Sequence, residues 1–378
     1  MFKSSLFRVL LALVVWCVLM LALAGGYFWH WLHTEAFVAE RNRIVVVDKG
    51  LGLGQVAFKL KEQSLLRWPL VWRAYARFFQ PATLKAGEYA LQPYESPMSL
   101  LTLLQGGEVI TYNTTFAEGL TLREWRAILA AQTKLEQKTG AMTPAHIAEQ
   151  LGIDHPNPEG WFFPDTYRFE KGDSDLDVLR RAHQKMKAEL AGQWARRQPS
   201  LPYDSPYEAL IMASIVEKET GVPHERSDIA GVFVRRLHQN MRLQTDPTVI
   251  YGMGDHYQGN ITRTDLKTPT PYNTYTIRGL PPTPIANPGR EALAAAVNPA
   301  SGRALYFVAK GDGSHQFSNT LEAHNKAVRQ YQLNRRTDYT SRAQPKKATE
   351  QPAIISSSSR SSSSSDYSSV GSHMIQGQ

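Results

Sequence analysis

Two glutamates, Glu217 and Glu219, stand at the end of a segment whose other residues argue for burial. Ser205-Pro206-Tyr207-Glu208 has the form of a helix start, with Ser as N-cap, Pro at the first helical position and Glu at the capping-box spacing. This predicts a helix from Pro206 to Thr220, ended by Gly221 and Pro223. Leu210, Ile211, Met212, Ala213, Ile215 and Val216 fall on nearly every face of it at about 100° per residue, which places the helix inside the protein. Carboxylates at the end of such a helix call for a reason to be there.

Side chains three and four positions back share a helix face, so Glu217 lies over Ala213 and Ser214, and Glu219 over Ile215 and Val216. An apolar surface disfavours the charged form of a carboxyl group, the condition under which it can hold a proton near neutrality and act as a general acid. The competing reading keeps both glutamates solvated or ion-paired at the helix end, to Lys218 or Arg226.

The elements that must position these groups begin with an anchor. The stretch from Val9 to Trp29 carries no charge and is long enough to cross a hydrocarbon core of about 30 Å as a helix. Lys3 and Arg8 precede it, and Tyr27, Trp29 and Trp31 stand at its far end, where amphipathic rings favour the headgroup layer. Residues 1–8 are therefore expected in the cytoplasm, 9–31 across the membrane and the rest outside. A cleaved signal peptide is the rival, but the apolar run is longer than an h-region and Gly25-Gly26 leads into bulky aromatics rather than a small-x-small site. The single cysteine, Cys17, lies mid-span, which excludes a disulfide framework. The formal charge of +8 suits nucleic acid, an anionic membrane or an acidic glycan alike; with an exported chain, no nucleic-acid partner is expected.

After the anchor, Ile44–Val47 reads as a strand, Gly50 to Gly54 as a turn, Gln55–Leu66 and Trp68–Phe79 as helices, Gly87–Leu91 as a strand, and Ser99–Leu104 as a helix with Ser99 near its start. Strand, helix, helix, strand over residues 43–108 resembles a LysM-like module, a type that binds N-acetylglucosamine-containing glycans. Gly52-x-Gly54-x-x-Ala57 satisfies the letters of a dinucleotide fingerprint, but no second strand ends in Asp or Glu about 20 residues on, so a tight turn is the better reading. Residues 111–335 alternate helical and extended segments, as one larger α+β domain would. Residues 342–378, with Ser356–Ser359 and Ser361–Ser365, have no core to form and are expected to be disordered. The fold class is α+β.

Several runs together then become recognisable. Ala213-Ser214-Ile215-Val216-Glu217-Lys218-Glu219-Thr220, the run Arg242 to Gly252 that includes Gln244-Thr245-Asp246-Pro247, Tyr272-Asn273-Thr274-Tyr275 and Gly279-Leu280-Pro281-Pro282 resemble the endolytic murein transglycosylase (YceG-like) family of membrane-anchored lytic transglycosylases. Glu159-Gly160-Trp161-Phe162-Phe163-Pro164-Asp165-Thr166-Tyr167 and His324-Asn325 are similar to it too, and the resemblance covers roughly residues 44 to 335. It implies that Glu219 is the catalytic residue. It also implies cleavage, without water, of the β-1,4 bond between N-acetylmuramic acid and N-acetylglucosamine, leaving a 1,6-anhydro ring. No cofactor is implied. A role in ending nascent glycan strands would bring the chain close to peptidoglycan synthases, with its catalytic domain in the periplasm beside the inner membrane.

Gln244, Asn273 and Tyr275 are candidates for holding acetamido and hydroxyl groups, since amides donate and accept and aromatic faces pack on sugar rings. Glu217 and Asp246 join them as candidate substrate contacts, although Asp246 before Pro247 equally suits bracing a turn. A hydrolase needs a second carboxylate, which Asp246, Glu225 or Asp228 could supply. Trp161, Phe162 and Phe163 are expected in the core, because three consecutive large apolar residues are costly to expose. His224, His256, His315 and His324 lack the spacing of a zinc motif, so no metal is expected. The rivals from other classes are a non-catalytic wall-binding scaffold, for which an anchor and a LysM-like module would suffice, and a cofactor-dependent cytosolic lyase, which the export signal opposes.

Overall fold

The computed structural model describes residues 2–34, 37–38, 44–81, 83–92 and 94–333; the Ser-rich tail expected over 342–378 lies outside them. Helix α1 (Phe2–Thr34) contains the stretch Phe7–Thr34, whose 18-residue apolar window has a mean hydropathy of 2.7, long and apolar enough to cross a membrane. Its side chains from Val9 to Leu23 are turned outward, and Tyr27 and Trp29 remain exposed. Trp31 does not join them at a headgroup layer. Trp31 and Leu32 are buried in the core of the segment that follows, with Trp31 packed on Trp68 at 5.1 Å, because the helix continues straight into that core.

Strand β1 (Phe37–Val38) precedes β2 (Ile44–Val47), and α2 (Leu53–Glu62) and α3 (Pro69–Phe79) separate β2 from β3 (Gly87–Ala90). β2 and β3 pair antiparallel, Ile44 opposite Ala90 and Val47 opposite Gly87, which is the expected strand, helix, helix, strand order. An antiparallel pair provides no dinucleotide crevice; Gly52 caps α2 through its N–H, which donates to Gln55 Oε1 at 2.9 Å. β4 (Tyr94–Glu95) pairs with β1, and α4 (Pro97–Gly106) starts two residues before the expected Ser99. Ser96 is its N-cap and Ser99 sits at the third position, the two exchanging side-chain to backbone bonds at 2.8 and 3.1 Å. Val45, Val47, Val56, Leu60, Trp72, Tyr89, Leu100, Leu101 and Leu104 close this first core.

The rest of the chain builds two further cores. β5 (Thr111–Thr115) pairs antiparallel with β6 (Thr166–Glu170), and α5 (Leu122–Ala130) and α6 (Pro144–Leu151) lie between them in sequence. Phe116, Trp125, Leu129, Ile147, Phe162, Tyr167, Phe169, Val178 and Leu179 fill the space among them, so Phe162 belongs to the core, with Phe163 buried and Trp161 half-buried alongside. Gly160 holds φ +83 with a Cβ position only 2.4 Å from Pro284, a place no other residue can take. Gly160, Phe162 and Phe163 of the Glu159–Tyr167 run thus serve packing.

α7 (Asp175–Ala195) leads to α8 (Pro206–Glu219), whose Ser205 cap accepts from Glu208 N as the sequence indicates. Every residue from Ala209 to Val216 is buried, against α7, α9 (Arg226–His238) and α12 (Arg290–Val297). Each fully buried Leu, Ile or Met side chain there contributes about 1.5–3 kcal/mol, which makes α8 the rigid axis of this part. α10 (Asp246–Met253) crosses its end, α11 (Arg263–Lys267) follows, and a hairpin of β7 (Tyr306–Ala309) and β8 (His315–Ser318) with α13 (Leu321–Val328) stands on the side of α9.

Candidate active site

α8 ends at Glu219, where Thr220 turns the chain into extended backbone, so the carboxylate leaves a buried helix at its last residue. Half-buried, Glu219 lines a cavity of about 530 Å³ together with Gln244, Asp246 and Tyr275. Three of the four residues expected around Glu219 from positions 244–275 are therefore brought together.

Thr245 approaches Glu219 from the start of α10 and donates its hydroxyl to Glu219 Oε1. Ser96, Thr121, Thr143, Ser174, Ser205, Thr262 and Thr320 all cap their helices by accepting a backbone N–H. Thr245 occupies the same position for α10, yet its side chain makes no capping bond. Buried neighbours hold it: Thr245 N donates to Thr274 Oγ1 at 3.1 Å, Thr248 Oγ1 donates to Thr245 O at 2.8 Å, and Thr248 and Thr274 hydroxyls are 2.9 Å apart. A Thr before Asp-Pro looks like an ordinary cap in the sequence, which is why its hydroxyl passes unnoticed there.

Gln244 takes a left-handed conformation, φ 56, uncommon outside glycine. Its N–H donates to Thr274 O at 3.2 Å, and its Oε1 accepts from Arg236 Nη1 at 3.2 Å. Arg236, buried, also donates to Leu305 O at 2.7 Å and to Arg242 O and Leu243 O at 2.9 Å, and lies 5.0 Å over the Tyr306 ring. Burial pulls its guanidinium below the usual range. Tyr275 donates its hydroxyl to Asp246 Oδ1 at 2.6 Å. Burial first, then the charge of Asp246 and its hydrogen bond, and then the charge of Glu219, push that hydroxyl far above its ordinary value, so it remains a donor.

The far wall carries Tyr306, Phe307, His315, His324 and Asn325. His324, from the His-Asn pair of the sequence, stacks on Tyr306 at 5.3 Å, and burial lowers its basicity. Glu225 is removed as a second carboxylate, since it is buried and accepts from His315 N at 2.9 Å and pairs with His315 Nδ1 at 2.7 Å. Asp228 is exposed and does not line the cavity. Asp246 alone of the three shares the cavity with Glu219.

Two expected contacts are corrected. Asn273 is fully buried; its Nδ2 donates to Asp265 O, Leu266 O and Thr268 O at 3.0, 3.2 and 2.7 Å, and its Oδ1 accepts from Tyr275 N at 2.9 Å. Its amide is used up in shaping the loop that presents Tyr275. Glu217 points away from the cavity, with its side chain 5% exposed, accepting from Gly289 N at 2.9 Å and paired with Arg226 at 3.4 Å. Glu118 and Glu291 meet the same guanidinium, and burial, then the charge of Glu217, raises the Glu118 carboxyl above its usual range. The ion-pair reading holds for Glu217 and names Arg226 as the partner.

A second cavity of about 710 Å³ lies between α5 and α10 and shares Pro247 with the first. Glu159 lines it, buried, accepting from Leu122 N at 2.9 Å and Tyr251 Oη at 3.3 Å; burial outweighs these donors and pushes its carboxyl up to about 7. Among the described residues no group of three or more His, Cys, Asp or Glu could hold a metal ion.

Residues 45–330 match the model of the YceG-like family. The endolytic murein transglycosylase of Bacillus subtilis (strain 168) is 30% identical over 302 residues, 75% of this chain and 83% of that protein. The endolytic murein transglycosylase of Streptococcus pneumoniae (serotype 2, strain D39) is 27% identical over 362 residues, 85% of this chain and 65% of that protein. A crystal structure of a YceG-like protein from Listeria monocytogenes, 30% identical, covers 76% of this chain and 99% of that chain with a TM-score of 0.48.

Proposed function

This chain belongs to the YceG-like family, and from that membership and the Glu219 cavity we propose that it is an endolytic lytic transglycosylase of peptidoglycan. The observation that carries the reading is one carboxylate, Glu219, delivered by a rigid helix into a polar cavity and held there by the Thr245 hydroxyl. The curated relatives bear the name of that activity.

In the proposed reaction Glu219 protonates the glycosidic oxygen between N-acetylmuramic acid and N-acetylglucosamine, and the C1–O bond breaks. The C6 hydroxyl of the same muramic acid attacks C1, and Glu219, now a carboxylate, takes the hydroxyl proton. The enzyme returns to its starting protonation state and no water is consumed. The substrate's acetamido group stabilises the cationic centre, so one carboxylate serves both steps. Thr245 donates to Glu219 Oε1 and braces the carboxyl group for both steps. Gln244, Asp246 and Tyr275 contact the sugar, Tyr275 as a permanent donor.

In this reading α1 anchors the chain in the inner membrane, N-terminus inside, with the larger part in the periplasm. Trp31 and Leu32, near the end of α1, are buried in the first core, so the helix runs without a break from the apolar stretch into the folded segment. The LysM-like segment would hold glycan, and ending nascent strands would place the chain beside peptidoglycan synthases. A hydrolase is the second reading, favoured by Asp246 sharing the cavity. Mass analysis of strands cut by the full-length protein tests both: transglycosylase ends are 1,6-anhydro and lighter by one water than hydrolase ends, and a profile of reducing ends would overturn the first reading.

A further inference from the structure

Helix α3 covers the first core with one side and turns an apolar stripe outward with the other. At about 100° per residue, Leu70, Ala74, Phe78 and Val71 fall on one arc, Arg73 and Arg77 border it, and the buried Trp72 and Ala76 occupy the opposite side. Leu70 is 63% exposed, Phe78 75% and, at the helix end, Phe79 74%. Such a patch is costly to leave in water and marks a contact surface. The sequence from Gln63 to Ala86 contains Arg67, Arg73, Arg77 and Lys85 and no acidic residue.

The patch adjoins the point where α1 leaves its apolar stretch. Tyr27 lies 5.7 Å from Trp68, Phe28 lies 5.8 Å from Tyr75, and Tyr75 stacks on Phe79 at 5.4 Å, so one run of rings joins the end of α1 to the end of α3. We propose that α3 lies on the membrane surface from which α1 emerges, its partner being anionic phospholipid. Leu70, Val71, Phe78 and Phe79 enter the boundary between headgroups and acyl chains, and Arg73 and Arg77 extend to the headgroup charges, the pattern of an interfacial amphipathic helix. A chain held by α1 alone could swivel; this second contact restrains the segment that follows the anchor. The proposal rests on α1 being a membrane span.

Cys17, the only cysteine, lies within the apolar stretch of α1 and reports on that premise. The full-length protein in nanodiscs containing phosphatidylglycerol is labelled with bimane at Cys17, or at Phe78→Cys or Ala188→Cys in a Cys17→Ser background; Ala188 is exposed on α7 and serves as the solvent reference. Brominated lipid should quench the probes at 17 and 78, while iodide should reach position 78 several-fold less than position 188. Arg73→Glu with Arg77→Glu should raise iodide access at 78. A probe at 78 as open to iodide as that at 188, with Cys17 still lipid-quenched, would remove the docking and leave the span. Shielding from iodide without quenching by lipid would mean that protein, such as a second copy, covers the patch, and would equally overturn it. An unquenched probe at Cys17 would remove the span and the proposal with it.

Discussion

Two carboxylates two residues apart on α8 end in opposite circumstances. Glu217 is held from inside the protein: Arg226 supplies charge, Gly289 supplies an N–H, and its side chain is buried. Glu219 faces a cavity large enough for part of a sugar chain, braced by Thr245 but half-exposed to whatever enters. A buried carboxylate satisfied from within belongs to stability; one positioned from within and opened outward is equipped for chemistry.

The largest effect of substitution is expected at Glu219. Glu219→Gln keeps size and polarity but removes the transferable proton, so strand cleavage should fall by roughly 10²- to 10⁴-fold with thermal unfolding unchanged. Release of soluble fragments from purified peptidoglycan measures the first and calorimetry the second; near wild-type release would detach Glu219 from the chemistry.

Thr245→Val should lower kcat by about tenfold, the value of a hydrogen bond to a charged group, and Thr245→Ser should restore it. The bond donated to Glu219 favours the ionised form, so its loss should keep Glu219 protonated to higher pH and move the alkaline limb of the rate upward. An unshifted limb would reduce Thr245 to packing.

Glu217→Gln should do the reverse of Glu219→Gln, lowering stability by about 1–3 kcal/mol through the loss of charge opposite the buried Arg226, while cleavage measured well below the melting temperature survives. Loss of activity without loss of stability would return Glu217 to the cavity.

A third carboxylate sharpens the contrast through pH. The Glu159 carboxyl is raised in the folded protein from 4.5 to about 7, so the unfolded chain ionises first as pH rises. Its contribution to stability is full below about pH 4.5 and declines up to about pH 7, on the order of 1–3 kcal/mol in all. Denaturant titrations from pH 5 to 8 should show a smaller decline in Glu159→Gln than in wild type, and equal slopes would contradict this placement.

Much of this was legible in the residues. Ser205, Pro206 and Glu208 announce α8 because a cap is local chemistry, and the face of Glu219 follows from helix periodicity alone. What stayed hidden depended on groups far apart in sequence. Glu217 needs Gly289 to show its structural role. The amide of Asn273 suits a sugar as well as it suits three carbonyls, and only the loop decides. Trp31 reads as a headgroup anchor until the core it enters is assembled. Thr245 carries the signature of a cap and performs another task.

In the proposed reaction Glu219 drives an attack from within the substrate rather than by water. Digestion of peptidoglycan by the full-length protein in oxygen-18 water, followed by mass analysis of the new ends, tests it directly. The expected result is 1,6-anhydro-N-acetylmuramic acid ends carrying no label; reducing ends carrying oxygen-18 would refute the intramolecular attack and turn attention to Asp246 as the partner of a hydrolase.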